Sequence, residues 1–154
     1  MKLAVESLMI SRINNKNGEF SASQVYLPNG KYFFIGSLMD ARNFTSLHEH
    51  NITHILTVAG GLSVFSDETS HHKNDFHNLV LHIADHPSAD VFKILPQCFF
   101  FMDECLSQNK IPLVHCASGV SRSVTVSVLY MMSRFSLSDV EVLLSIQTSS
   151  HIIY

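Results

Sequence analysis

With 154 residues, 46% of them hydrophobic, the chain is long enough for one domain that buries roughly two thirds of its unfolded surface, and too short for two. Only 15% of residues are charged, the formal charge is −3 with histidines neutral, and lysine and arginine form no run, which argues against a nucleic acid or an anionic membrane as partner. The longest apolar stretch, Val124 to Met132, is interrupted by Thr125 and Ser127 and falls far below the ~18 residues of a spanning helix. Glu6 and Ser7 break the apolar start before a secretory signal can form. Three cysteines, Cys98, Cys105 and Cys116, without CxxC spacing, speak against a disulfide framework or zinc knuckle and for a reducing compartment.

In chain order, residues 1–23 are polar and weakly patterned and read as a leader, partly disordered, ahead of a single domain over 24–154. Gln24–Leu27 and Tyr32–Ile35 flank Pro28-Asn29-Gly30 and read as a hairpin. Met39–His50 reads as one helix with Ser37 as N-cap, Asp40 at the capping-box position, and Ala41, Phe44 and Leu47 on one face. Ile52–Val58, Leu79–Ala84 and Ile111–His115 have the aliphatic runs of buried strands, and Gly60–Asn78 reads as a long polar loop. A helix over Ile94–Gln108 carries Pro96 in its first turn, where a missing N–H does least harm. Arg122–Arg134 is apolar on nearly every face and reads as a buried helix, and Ser138-Asp139-Val140-Glu141 opens a last helix with Val142, Leu143 and Ile146. Strands interleaved with helices predict an α/β fold with a mostly parallel central sheet flanked by helices.

The segment from Ile111 to Ser123 joins a buried strand to a helix through a loop of small residues, Ala117, Ser118, Gly119, Val120 and Ser121. Small residues let successive N–H groups converge on an anion, and the helix start adds its dipole and unpaired donors. The same donors stabilise a thiolate at Cys116, whose pKa should fall from about 8.5 into the range roughly 4–7 known at helix N-termini. Arg122 can fold over the loop and hold two phosphoryl oxygens with its planar fork. Ser123 can hydrogen-bond the thiolate, and His115 is read as ordering the loop through its ring nitrogens rather than acting as a base.

Cys98 and Cys105 lie seven residues apart on one helix and read as small buried hydrophobes. The histidines His48, His50, His54, His71, His72, His77, His82 and His86 lack cysteine or carboxylate partners at ligand spacing, so they read as residues of solvated polar loops, with no metal site.

His115-Cys116-x5-Arg122-Ser123 resembles the signature of the cysteine-dependent protein phosphatases, and specifically that of the dual-specificity branch in its small, atypical form. Phe34-Ile35-Gly36-Ser37-Leu38 with Ala41, the Ile52–Leu56 strand, and Tyr130-Met131-Met132 resemble the start and core helix of that domain, so the likeness spans about residues 24–147. The resemblance implies hydrolysis of phosphotyrosine and phosphoserine or phosphothreonine through a phosphocysteine at Cys116, without cofactor or metal, with Ser123 easing departure of the sulfur. It also requires a general acid on a separate loop. Asp85, after His82-Ile83-Ala84 and before Pro87-Ser88-Ala89, is the candidate, while Asp90 reads as a helix start. A phosphoprotein-binding pseudo-phosphatase is the alternative, and a phosphoinositide phosphatase is disfavoured because the loop carries no lysine.

The implied partner is a phosphorylated protein substrate, with a protein kinase among the candidates, although no basic docking segment precedes the domain. The implied location is the cytoplasm, with the nucleus as a second compartment. The resemblance also implies a C-terminal helix after an Arg-Pro segment, whereas this sequence runs from Gln147 to Tyr154. That helix is read as missing, with Ile152, Ile153 and Tyr154 as partial cover. The expected state is a monomer or a weakly self-associating domain of low melting temperature.

Overall fold

Val25, Phe33 and Ile35 alternate with Gln24, Tyr32 and Phe34, the period of two that sends side chains to opposite faces of a sheet. A computed structural model describes residues 20–150, with side chains through Ser145. In it these residues form β1 (Ser23–Tyr26) and β2 (Tyr32–Gly36), antiparallel, with Gln24 opposite Phe34. Gly30, at φ +83, takes the turn position that a side chain would strain. Contacts begin ahead of Gln24: the Phe20 ring lies 6.2 Å from Phe34, and the Ser21 N–H donates to Asp40 Oδ1 at 2.7 Å.

β3 (Ile52–Val58), β4 (His77–Leu81) and β5 (Ile111–His115) complete a five-stranded sheet of order β1-β2-β5-β3-β4, parallel throughout except for the β1 edge. This is the α/β architecture expected from the alternation of strands and helices. Alternate strand residues divide the core. Val25, Phe33, Ile35, Leu56, Val58 and Val114 face α3 (Leu95–Ser107), α4 (Arg122–Phe135) and α5 (Asp139–Ser150). Phe34, Ile55 and Leu113 face the other layer, made of α1 (Leu38–Arg42), α2 (Phe44–Glu49) and the connection that holds Val64 and Phe76. Phe33 lies edge-on to Tyr130 at 6.4 Å, and full burial of such a ring contributes about 1.5–3 kcal/mol.

Three expectations need correction. The single helix over Met39–His50 is two helices. Ser37 and Asp40 do form the capping box, but the Asn43 side chain accepts the Ser46 N–H and starts a second helix, the competition with helix that short polar side chains offer. The strand expected over Leu79–Ala84 runs instead from His77 to Leu81, because β3 ends at Val58, opposite Leu81, and leaves His82 onward without a ladder partner. Within the expected loop over Gly60–Asn78, a 3-10 helix spans Ser70–Asp75 and buries Phe76 behind it.

Pro96 sits in the first turn of α3 as expected. Asp90 caps a separate 3-10 turn, Val91–Lys93, accepting from the Phe92 N–H at 3.1 Å. Ser138 and Glu141 make the reciprocal capping box of α5, in which Val142 is buried and Val140 and Leu144 are exposed. The side chain of Ile146 and residues Ile152, Ile153 and Tyr154 lie outside the described residues. No described helix is long and apolar enough to cross a membrane.

Candidate active site

β2 and β5 are parallel neighbours, yet α1 leaves β2 toward one face of the sheet and α4 leaves β5 toward the other. The chain diverges at their C-terminal ends and opens the kind of crevice in which α/β sheets bind ligands. Cys116 is the first residue past β5, where the chain turns from the strand toward α4.

Cys116 is 0% exposed. Burial alone pushes a thiol pKa up, yet this thiol is held below its ordinary value by the Ser123 hydroxyl, 3.2 Å from Sγ, and by the backbone N–H groups of Ser123, Ser121 and Gly119. These donors converge because Gly119 adopts φ +71, a left-handed conformation in which any side chain is strained, and because α4 starts at Arg122 and aims its first N–H groups at the sulfur. Ala117 and Ser118 line the open side of the loop, and Val120 and Ser121 are half-buried in its far limb. The Ala117 carbonyl accepts the Leu38 N–H at 3.1 Å, which ties the loop to the start of α1.

His115 is fully buried, and burial pushes its pKa down to about 4, so the ring is neutral at physiological pH. Nδ1 lies 3.1 Å from the Cys116 carbonyl, an acceptor, so Nδ1 carries the proton and donates. Nε2 therefore accepts, from the Thr57 hydroxyl at 2.7 Å. The ring thus links the Cys116 carbonyl to the Thr57 hydroxyl of β3.

Arg122 is 11% exposed and reaches across the crevice, where Nη1 donates to the Ile83 carbonyl at 3.0 Å and Nη2 lies 3.4 Å from Asp85 Oδ2. Its Nε is buried and has no hydrogen-bond partner among the described residues. A buried guanidinium N–H left unpaired is costly, and the oxygen of an oxyanion would satisfy it. The wall above Arg122 is built from Ile83, Asp85, Pro87 and Val91. Asp85 is 59% exposed, facing the guanidinium from the loop after β4. The structure thus sets Asp85 and Arg122 on one crevice, with Cys116, Ser123 and His115 buried in and behind the loop that leads to Arg122, and with Asp90 turned to capping.

Thr57, the Leu38 N–H and the Ile83 carbonyl are contributors that sequence reasoning did not find. Thr57 stands opposite His115 in the β3–β5 ladder, a pairing that only the register reveals. The other two contribute backbone groups, which carry no residue-type signal.

Residues 33–153 match the family described as dual specificity phosphatase, catalytic domain. The chain is 42% identical over 112 residues to human dual specificity protein phosphatase 9, covering 73% of this chain and 27% of that protein. It is 32% identical over 121 residues to dual specificity protein phosphatase 1B of Arabidopsis thaliana, covering 79% of this chain and 69% of the relative. It therefore spans about a quarter of the human protein's length. Among solved structures, DUSP15 superposes with a TM-score of 0.65 at 27% identity, over 78% of this chain and 72% of that one. The human tyrosine phosphatase-like serine/threonine/tyrosine-interacting protein superposes with a TM-score of 0.64 at 26% identity, over 86% of each chain.

Proposed function

We propose that this chain, which belongs to the dual-specificity phosphatase family, hydrolyses phosphotyrosine and phosphoserine or phosphothreonine on proteins through a phosphocysteine at Cys116. The observation that carries the proposal is a fully buried thiol ringed by the Ser123 hydroxyl and by backbone N–H groups that hold its pKa down despite burial, the environment that favours a thiolate nucleophile.

In the first step the Cys116 thiolate attacks phosphorus, the P–S bond forms, and the ester P–O bond breaks. Arg122 leaves Asp85 for two phosphoryl oxygens, the released carboxylate takes a proton from solvent, and the buried Nε gains the partner it lacks among the described residues. Protonated Asp85 gives its proton to the departing hydroxyl oxygen. In the second step the Asp85 carboxylate takes a proton from water, which attacks phosphorus as the P–S bond breaks. Ser123 donates to the leaving sulfur throughout, and inorganic phosphate is released.

The pseudo-phosphatase reading draws on one observation, that Arg122 is held by the Ile83 carbonyl and Asp85. An arginine that stays there would bind phosphate weakly and turn over little. Hydrolysis of a small aryl phosphate and of phosphotyrosine and phosphothreonine peptides by the purified chain, beside Cys116→Ser, separates the two. Turnover that vanishes in Cys116→Ser while phosphate affinity persists is the expected result. Residual activity above a few per cent would reject the covalent route, and absence of turnover in the parent would leave the binding reading.

A further inference from the structure

In a 3-10 helix residues three apart stand one above the other, so His72 and Asp75 of the Ser70–Asp75 helix share a face. That face meets the last turn of α2, which carries His48, in the layer opposite α4 and its arginine. His48 Nε2 lies 3.4 Å from Asp75 Oδ2, and His72 Nδ1 lies 3.1 Å from the same oxygen. With metal-to-ligand distances of roughly 2.0–2.1 Å, the edge of a tetrahedron is about 3.3 Å, so both separations are those of ligands sharing one zinc ion. All three candidate ligand atoms fall within 4.8 Å of one another.

The imidazoles are held in these positions by packing. His72 stacks on Phe44 at 4.5 Å and 21°, and His48 lies against Phe76 at 5.1 Å. Phe44 and Phe76 belong to the core of this layer, so the rings are positioned before any ligand arrives. His48 and Asp75 remain open to solvent, so an ion can enter and water can complete its coordination.

We propose that His48, His72 and Asp75 form a zinc-type site that clips the β3–β4 connection to α2. Two imidazole nitrogens and one carboxylate favour Zn2+ over the oxygen-seeking Mg2+ and Ca2+. The sequence conceals the site, because His48 is far along the chain from the His72–Asp75 pair and joins it only in the fold. The ion has no part in phosphoryl transfer, and its effect is to hold the connection in place.

The test uses the full chain carrying Cys116→Ser, so that the active-site thiolate cannot take the metal. Co2+ titration should give visible bands of a nitrogen and oxygen environment that saturate at one equivalent, and Zn2+ should displace the Co2+ and raise the thermal midpoint. Asp75→Asn, which keeps the shape of the side chain, and His48→Gln should each weaken Zn2+ at least about tenfold and abolish the rise. His77→Gln, in the separate His54–His77 stack, should change neither. Introduced beside an intact Cys116, Asp75→Asn should leave aryl phosphate turnover at the parent level, which shows that it folds. Absence of saturable uptake, or uptake that neither site variant alters, would overturn the proposal.

Discussion

Two regions of the molecule bury cysteine equally and treat it oppositely. In α3, Cys98 and Cys105 are 0% exposed and burial pushes both thiols up to about 12. In the β5–α4 loop, Cys116 is 0% exposed as well, yet its thiol is held below the ordinary value. A helix interior has already spent its N–H groups on carbonyls one turn back, so nothing there can compensate a buried charge. At the start of a helix the first N–H groups have no such partner, and the β5–α4 loop turns them onto one sulfur. Burial alone therefore does not set the direction in which a thiol's pKa moves; the supply of uncommitted donors does.

The largest expected contrast is chemical. Neutral iodoacetamide should alkylate Cys116 in the native protein well before Cys98 or Cys105, whose thiols are pushed up to about 12, as peptide mapping would show. Comparable labelling of Cys98 in the folded state would break the comparison.

Next in size is Arg122→Lys, which keeps the charge and loses the fork. Turnover should fall on the order of 10²- to 10³-fold, since the crevice needs a bidentate donor as well as a positive charge. Near-parent kinetics would remove Arg122 from the site.

Asp85→Ala should cost about 10²-fold on phosphopeptides and much less on an aryl phosphate whose leaving group barely needs a proton, with a flattened basic limb in the pH profile. Asp90→Ala should instead cost about 1 kcal/mol of stability through the lost cap of the Val91–Lys93 turn, and leave the profile unchanged. A reversal of the two phenotypes would move the acid to Asp90.

The finest test concerns Ser123→Ala, which removes one donor and keeps the others. Because the Cys116 pKa is depressed in the fold, activity that depends on the thiolate is present above that pKa and lost as pH falls through it. Loss of the Ser123 hydrogen bond raises the pKa, so the acid limb should move to higher pH, and turnover at neutral pH should drop about tenfold. An unmoved limb would leave the backbone N–H groups as sufficient by themselves.

Much of this was legible in the sequence because it rests on short-range chemistry. The strand, small-residue loop and helix around Cys116 are contiguous, and their order already dictates a nest of donors. Pro96, the Ser138–Glu141 box and the Ser37–Asp40 box lie within one helical turn of the ends they mark, where local hydrogen bonding prevails. The single helix over Met39–His50 was misread because its apolar spacing continues through Asn43, and only the actual backbone shows that the Asn43 side chain captures the Ser46 N–H. The strand over Leu79–Ala84 was misplaced because its end is set by the length of β3, a partner distant in the chain. His54 was grouped with solvated loop residues, yet it lies in β3 with its ring stacked on His77 at 4.7 Å, a cross-strand pairing fixed by register.

The sequence by itself determined the strand, small-residue loop and helix around Cys116, the spacing that brings in Arg122, and the α/β alternation, since each follows from neighbours a few residues apart. Tertiary structure decided that Thr57 holds the His115 ring and that Asp85 faces Arg122 across the crevice. It also decided that two histidines and Asp75, spread over α2 and the β3–β4 connection, converge on one point. Those contacts join segments remote in the chain, and their geometry depends on strand register and on which face of the sheet each connection crosses, quantities that no local pattern encodes.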